Sequence, residues 1–289
     1  MGLIAVPNIS EGRNRSFLSD LERSIETAGG RVLDVHIDEI HNRSVFTTSG
    51  SDAELVDGMV ALAAGCQRID LSQHEGVHPR LGGLDVCPFV PIDSGMERAV
   101  EVARRAGRAI ADETGLPVYL YEAAATREET RSLPQIRKGG LDALARRAAG
   151  GFTPNFGPRE IDLHRGVVCV GARGPLIAFN VWLESDGKAA QRIANRVRTG
   201  GGGPPGIRAL AWQLSEAQSQ VSMNLIAPDE TGIDRAFAEV ERLVHNEKAR
   251  ITGTEIVGLP LQRHMPDPQK EAARLLIAPG RSLETALRN

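Results

Sequence analysis

Three cysteines in 289 residues, Cys66, Cys87 and Cys169, are too few and too scattered for a disulfide framework or a C-x-x-C metal site, which suits a reducing compartment. There is no run of about eighteen apolar residues to span a bilayer; the nearest approach, "VVCVGARGPLIAFNVWL", is broken by Arg173 and by Gly174-Pro175. The opening "MGLIAVPN" lacks the charged segment and the long apolar segment of an export signal, so the expected location is the cytoplasm and no membrane partner is expected. Aromatics make up only 4%, no basic block occurs and the net charge is −3, which argues against nucleic acid as a partner. What is present, 41% hydrophobic and 25% charged residues, is ordinary for a globular protein. The length exceeds the usual single core, so two domains are expected.

"GLIAVPNI" reads as a buried strand. Asn14 then caps a helix whose Phe17, Leu18, Leu21 and Ile25 share one face, and Gly29-Gly30 stops it. "RVLDVHI" and "SVFTTSG" follow as strands around the loop Asp38 to Asn42. Ser51 and Glu54 spell a capping box for a helix that turns Leu55, Val56, Met59, Val60 and Leu62 toward the core. "LDVCPFVPI" is a fourth strand, Asp93 or Ser94 starts a third helix through about Thr114, and "LPVYLY" is a fifth strand. The order begins β-α-β-β-α-β, the split βαβ arrangement of an open sheet covered by helices on one face.

Past the Gly-rich junction "AAGGFTPNFGPRE" the pattern restarts with the strands "GVVCVGA" and "PLIAFNVWL". The helix "DGKAAQRIANRVR", the strands "GIRALAWQL" and "SQVSMNLI", the helix "DRAFAEVERLVHNEK" and the strand "TEIVGL" complete a second β-α-β-β-α-β series from Pro175. "LIAVPN" in the first copy is echoed by "LIAFNV" in the second. The expected fold is α+β, with two ferredoxin-like (βαββαβ) subdomains over residues 1–160 and 161–289 and a substrate cleft between them, where ligands preferentially bind.

His74-Glu75-Gly76-Val77-His78 spells H-E-x-x-H, which binds zinc only on a helix, where the i, i+4 spacing places both imidazoles beside one metal. Gly76 in the middle, Pro79 directly after His78 and Gly82-Gly83 soon after all oppose a helix, so no metal is expected. The extended His78-Pro79-Arg80 instead suits a proton acceptor near neutral pH beside a guanidinium fork for a carboxylate. The plainer alternative, that His78 caps a turn and Arg80 is solvated, stays open on spacing alone.

Polar groups on constrained backbone recur in "PNISEGRN", "HIDEIHNRSVFT", "GARGPLIAFN" and "QVSMNL". Asn8, Asn42, Asn180 and Asn224 fall at strand ends, where caps and Asx turns are the common use of asparagine. "TGGGGPPG" lacks the Lys-Ser/Thr of a P-loop and the register of a dinucleotide fingerprint, and reads as a flexible loop.

Taken together the chain resembles the glutamate formimidoyltransferase (formiminotransferase) family. The matching text, in family order, is "VPNISEGRN", "HNRSVFT", "HPRLGGLDVCPF", "PVYLYEAA", "LPQIRKGG", "FGP", "VGARGPLIAFNV", "PGIRALAW", "QVSMNL" and "TEIVGLP". The resemblance implies a homodimer of two-subdomain chains that moves the formimino group of N-formimino-L-glutamate to N5 of tetrahydrofolate, a step of histidine breakdown and one-carbon metabolism. The family's catalytic histidine falls in H-P-R, at His78. The vertebrate-like members carry an Asp where His36 stands, with Asp34 and Asp38 two residues either side, and a Gln where Glu255 stands.

Within that resemblance Asp38 or Glu255 is the carboxylate expected to stabilise the cationic amidine. Arg43, Arg80 and Arg173 are expected to clamp substrate carboxylates, and Asn8, His36, Asn42, Gly83, Asn180 and Asn224 to line the substrate and folate site. Tetrahydrofolate is the expected co-substrate, with any cyclodeaminase a separate protein. Three other readings are weighed: a carrier such as glycine in place of glutamate, a folate-binding protein with a vestigial site, and the zinc peptidase.

Overall fold

The computed structural model of the chain describes residues 2–76 and 80–288. It opens with β1 (Leu3–Ala5) and β2 (Asn8–Ile9), separated at Val6-Pro7, where proline has no N–H for a ladder. The helix α1 (Arg15–Thr27) begins where Asn14 Oδ1 accepts the Phe17 N–H at 3.0 Å, and it buries Phe17, Leu18, Leu21 and Ile25 as their spacing predicts. β3 (Arg31–Asp38) and β4 (Arg43–Ser49) form a hairpin. α2 (Asp52–Cys66) carries a complete capping box, with the Glu54 N–H on Ser51 Oγ at 3.3 Å and the Ser51 N–H on Glu54 Oε2 at 2.7 Å.

After β5 (Leu84–Pro91), α3 (Met96–Thr114) starts from Gly95 and not from Asp93 or Ser94. The Ser94 hydroxyl, expected as the cap, donates instead to the Gly2 carbonyl. β6 (Val118–Glu122), α4 (Leu133–Arg137), α5 (Gly140–Ala149) and β7 (Val168–Ala172) complete the first unit, which runs to Gly174. Its seven strands form one sheet: β3 lies outside β4, β1 and β2 both sit between β4 and β5, and β7 separates β5 from β6. The β5, β7 and β6 ladders are parallel and the rest antiparallel.

Two findings differ from the sequence reading. "GVVCVGA" does not open a second half; as β7 it fills the gap between two strands of the first sheet, and the division falls at Gly174/Pro175 and not at 160/161. Nor are helices confined to one face. Val118, Leu120, Val168 and Val170 pack with the cluster under α1 to α3, while the alternating Tyr119, Tyr121 and Cys169 pack with Ile136 of α4 and Leu144 and Ala148 of α5. Parallel strands buried on both faces read as unbroken apolar runs. On the part of that second face formed by β3, β4 and β2, the polar residues Asn8, His36, Asp38 and Arg43 surround Val45.

The second unit contains β8 (Ile177–Glu184), α6 (Gly187–Val197), β9 (Ile207–Gln213), β10 (Gln218–Leu225), α7 (Ile233–Val244), β11 (Arg250–Val257), α8 (Glu271–Arg274) and α9 (Leu283–Arg288). Its sheet is antiparallel in the order β11-β8-β10-β9. Ile177, Phe179, Val181 and Leu183 face α6 and α7 in the core, so the alternate residues Asn180 and Trp182 face the other way. Both units are α+β. Among the described residues no helix is long and apolar enough to cross a membrane.

Candidate active site

Val45 of β4 stands opposite Asn8 of β2 on one side and His36 of β3 on the other. Residues in line across adjacent strands project to the same face, so Asn8 and His36 share it, together with Arg43 and Asp38, each two residues along from this row. Four of the expected site residues are therefore brought together by register alone.

The electrostatic centre of this region is Asp85, the one charged residue of β5, 2% exposed. Its Oδ1 accepts the Leu81 N–H at 2.9 Å, Arg137 of α4 donates to its Oδ2, and Arg43 lies 3.7 Å from that oxygen. Arg43 also donates to Asn8 Oδ1, and Asn8 Nδ2 donates to the Val6 carbonyl at 3.1 Å. Burial lowers the Arg43 pKa to about 10, with Arg137 and Arg80 pushing the same way and Asp85 opposing. Arg80 is lowered for the same first reason, again against Asp85. Three guanidiniums thus share one buried carboxylate, and at neutral pH the excess charge is positive. Arg137 Nε is buried with no acceptor among the described residues. An anion entering here would meet desolvated donors already aimed.

Asp38 is differently placed. Its Oδ1 accepts the His41 N–H at 2.8 Å and its Oδ2 lies 2.7 Å from His41 Nδ1. Burial alone would raise this carboxyl, but the ring and backbone N–H groups of His41 outweigh it and hold it below its ordinary value. A carboxyl with a depressed folded pKa contributes stability above its unfolded value of about 3.9 and loses that contribution as pH falls through the folded value. Asp38→Asn should therefore lower the thermal midpoint at neutral pH, with the gap to wild type closing below about pH 4. A gap of equal size in acid and at neutrality would contradict this role.

Asn42 has φ +48 and is 7% exposed, and its amide is committed at both ends: the Gly12 N–H donates to Oδ1 and Nδ2 donates to the Glu75 carbonyl, each at 2.9 Å. It therefore joins the turn at Gly12 to the loop at Glu75. Gly12 has no room for a side chain, since a Cβ there would lie 2.2 Å from the Asp38 carbonyl. Gly83 is likewise a packing position, 2.5 Å from the Cys66 carbonyl by the same measure. In the H-E-x-x-H stretch, His74 to Gly76 are not helical, and His74 Nε2 lies 2.9 Å from Arg80 Nη1. His78 lies outside the described residues.

Arg173 is not part of the Asp85 group. It follows the end of β7, where its N–H donates to the Phe89 carbonyl at 3.1 Å, near the far end of β5 from Asp85. Burial lowers its pKa while Tyr121 and Glu122 oppose. Glu122 beside it has φ +50, a backbone region that non-glycine residues seldom occupy.

In the second unit, Asn180 of β8 stands opposite both Glu255 of β11 and Ser222 of β10. Asn180 Nδ2 donates to Glu255 Oε2 at 2.9 Å and Ser222 Oγ donates to Asn180 Oδ1 at 2.7 Å. Asn224 follows Ser222 by two residues on the same face, exposed at the strand end. Among the described residues no group of three or more His, Cys, Asp or Glu side chains could hold a metal ion.

Sequence reasoning passed over Asp85, Arg137, His41, Ser222 and Gln220. The signal for Asp85 was available: a lone carboxylate inside an apolar strand needs a buried cation. Its partner Arg137 lies 52 residues away, which no local pattern links.

The family model described as the formiminotransferase domain, N-terminal subdomain, matches residues 2–173, and the one described as the formiminotransferase domain matches residues 178–269. A glutamate formimidoyltransferase of Streptococcus pyogenes is 36% identical over 260 residues, covering 88% of this chain and 87% of that protein. One from Thermoplasma acidophilum is 37% identical over 279 residues, covering 92% and 90%. A formimidoyltransferase-cyclodeaminase of Dictyostelium discoideum is 38% identical over 269 residues, covering 89% of this chain and 50% of that relative, so this chain spans about half its length.

Proposed function

This chain belongs to the formiminotransferase family, and from that premise we propose that it moves the formimino group of N-formimino-L-glutamate to N5 of tetrahydrofolate, yielding 5-formiminotetrahydrofolate and L-glutamate. The observation that carries the choice of substrates is the excess of partly buried guanidinium around Asp85: Arg43, Arg80 and Arg137 suit the carboxylates that formiminoglutamate and the folate tail both bear. The family and the names of the Streptococcus pyogenes and Thermoplasma acidophilum relatives supply the reaction class.

The formimino group is an amidine, largely protonated at neutral pH, so its carbon is already electrophilic. The N5-to-carbon bond forms, the bond from that carbon to the glutamate nitrogen breaks, and one proton has to travel from N5 to that nitrogen. His78 takes it and returns it in this reading, as a general base and then a general acid. Glu255 faces the positive charge of the amidine. Asp38, with both oxygens engaged by His41, orients that imidazole and the hairpin. Asn8 holds Arg43 in place, and His36 beside it lines the same face. Holding both substrates together supplies the proximity contribution. We place the reaction in histidine breakdown, carried out in the cytoplasm by a homodimer.

The test is an optical assay of purified chain with tetrahydrofolate and formiminoglutamate, with formiminoglycine as the rival donor. Turnover confined to the glutamate compound is the expected result. Turnover with formiminoglycine alone would replace glutamate as the carrier, and folate binding with neither donor turned over would favour the vestigial reading.

A further inference from the structure

Glu255, Asn180 and Ser222 form a row across β11, β8 and β10, and Gln220 lies two residues before Ser222 on the same face. Ser222 Oγ is 2.7 Å from Asn180 Oδ1 and 3.1 Å from Gln220 Oε1. Asn180 is 6% exposed and Gln220 0%, so an unmatched donor or acceptor on either is unfavourable.

Counting protons fixes the direction of the row. An ionised Glu255 only accepts, so Asn180 presents its NH2 group to the carboxylate and its carbonyl to Ser222. The hydroxyl has a single proton, and Asn180 takes it. Only lone pairs of Ser222 then remain for Gln220, whose Oε1 faces Ser222 while its Nε2 is buried with no partner among the described residues; turning that carboxamide to present its NH2 group to Ser222 satisfies both. Carboxamide oxygen and nitrogen are distinguished by the network they join, and here the network decides. The row runs Gln220 to Ser222 to Asn180 to Glu255, each group donating to the next, with the carboxylate as the terminal acceptor. Reversing it would require two buried carboxamides to turn together.

We propose that Asn180, Ser222 and Gln220 are positioning residues that aim the Glu255 carboxylate at the substrate's amidine, in place of the substrate contact expected of Asn180 from the sequence. The inference rests on the formimino-transfer reading. Both ends of the Asn180 amide are already committed to protein, and in a partly buried row each bond polarises the next.

Ser222→Ala removes the middle link. kcat is expected to fall at least about tenfold with KM for both substrates within about twofold, because the reacting geometry is lost while binding is kept. Ser222→Thr, which retains the hydroxyl, should recover most of that loss. In a Glu255→Ala background Ser222→Ala should have no further effect, since it acts through the carboxylate. A rise in KM with kcat unchanged, or an equal loss with and without Glu255, would overturn the proposal.

Should the wild-type chain show no transfer, the family reading of the substrates fails, and the row is then read by nitrogen-edited NMR of the side-chain amides. Glu255→Ala should shift the NH2 signals of both Asn180 and Gln220. A Gln220 signal unmoved by Glu255→Ala would show that no such row exists.

Discussion

His78→Ala is expected to lower kcat by about 10²- to 10⁴-fold, with KM for formiminoglutamate and tetrahydrofolate close to the wild-type values. The reason is chemical. N5 has to give up a proton as it joins the formimino carbon, and the glutamate nitrogen has to gain one as it leaves. A group that does both must be half-ready in each direction near neutral pH, which among side chains is the property of imidazole. Three of the chain's histidines are otherwise occupied: His41 is engaged by Asp38, His74 by Arg80 and His264 by Asp229. The family resemblance places the base at the histidine immediately before Pro79 and Arg80, and His78 is the position we propose for it. Steady-state kinetics of the purified variant, with added imidazole as a diffusible substitute, checks this. Partial recovery with imidazole is the expected companion result, and full activity in the variant would remove His78 from the mechanism.

Asp85→Ala is expected to destabilise the fold by about 3–5 kcal/mol, the range seen when one partner of a buried ion pair is removed and the other is left uncompensated. Asp85 is the carboxylate that the guanidiniums of Arg43 and Arg137 are both seen to approach among the described residues, and their side chains are 18% and 20% exposed. Without it, mutually repelling cations remain in a poorly hydrated site, and the Leu81 N–H loses its acceptor. Asp85→Asn, which can still accept that N–H, should fall between the two. Urea unfolding with a constant m-value measures the difference directly. A loss below about 1 kcal/mol would mean that these arginines are effectively solvated and hold no anion tightly.

The legible parts of the fold were those written in short-range chemistry. Asn14 and the Ser51/Glu54 box determine helix starts through bonds to N–H groups three residues away, so their residues announce themselves. The same holds for the alternation that sends Ile177, Phe179, Val181 and Leu183 to one side of β8. The strand "VVCVGA" was recognised as a strand but assigned to the wrong unit, because a run apolar on both faces states only that it is buried, not between which neighbours. The helices α4 and α5 escaped notice, and with them Arg137, whose use is set by Asp85 on a distant strand.

The site shows the same division. Asn8, His36, Asp38 and Arg43 were marked by polar residues on constrained backbone, and strand register brings them to one face. Asn42 was marked by the same signal and its amide joins two loops, while Gly83, marked by the resemblance, is closely packed against the Cys66 carbonyl. Dense polar text reports that a segment is constrained; whether it touches a ligand or its own backbone depends on contacts that sequence spacing does not encode.

The most direct test follows the transferred carbon itself. Formiminoglutamate labelled with carbon-13 at the formimino carbon is mixed with tetrahydrofolate and the wild-type chain and observed by NMR. The account predicts that the label appears on N5 of the folate, one equivalent for each glutamate released, at a rate that collapses in His78→Ala. Glutamate released with the label lost to formamide or formate, and none on the folate, would contradict it.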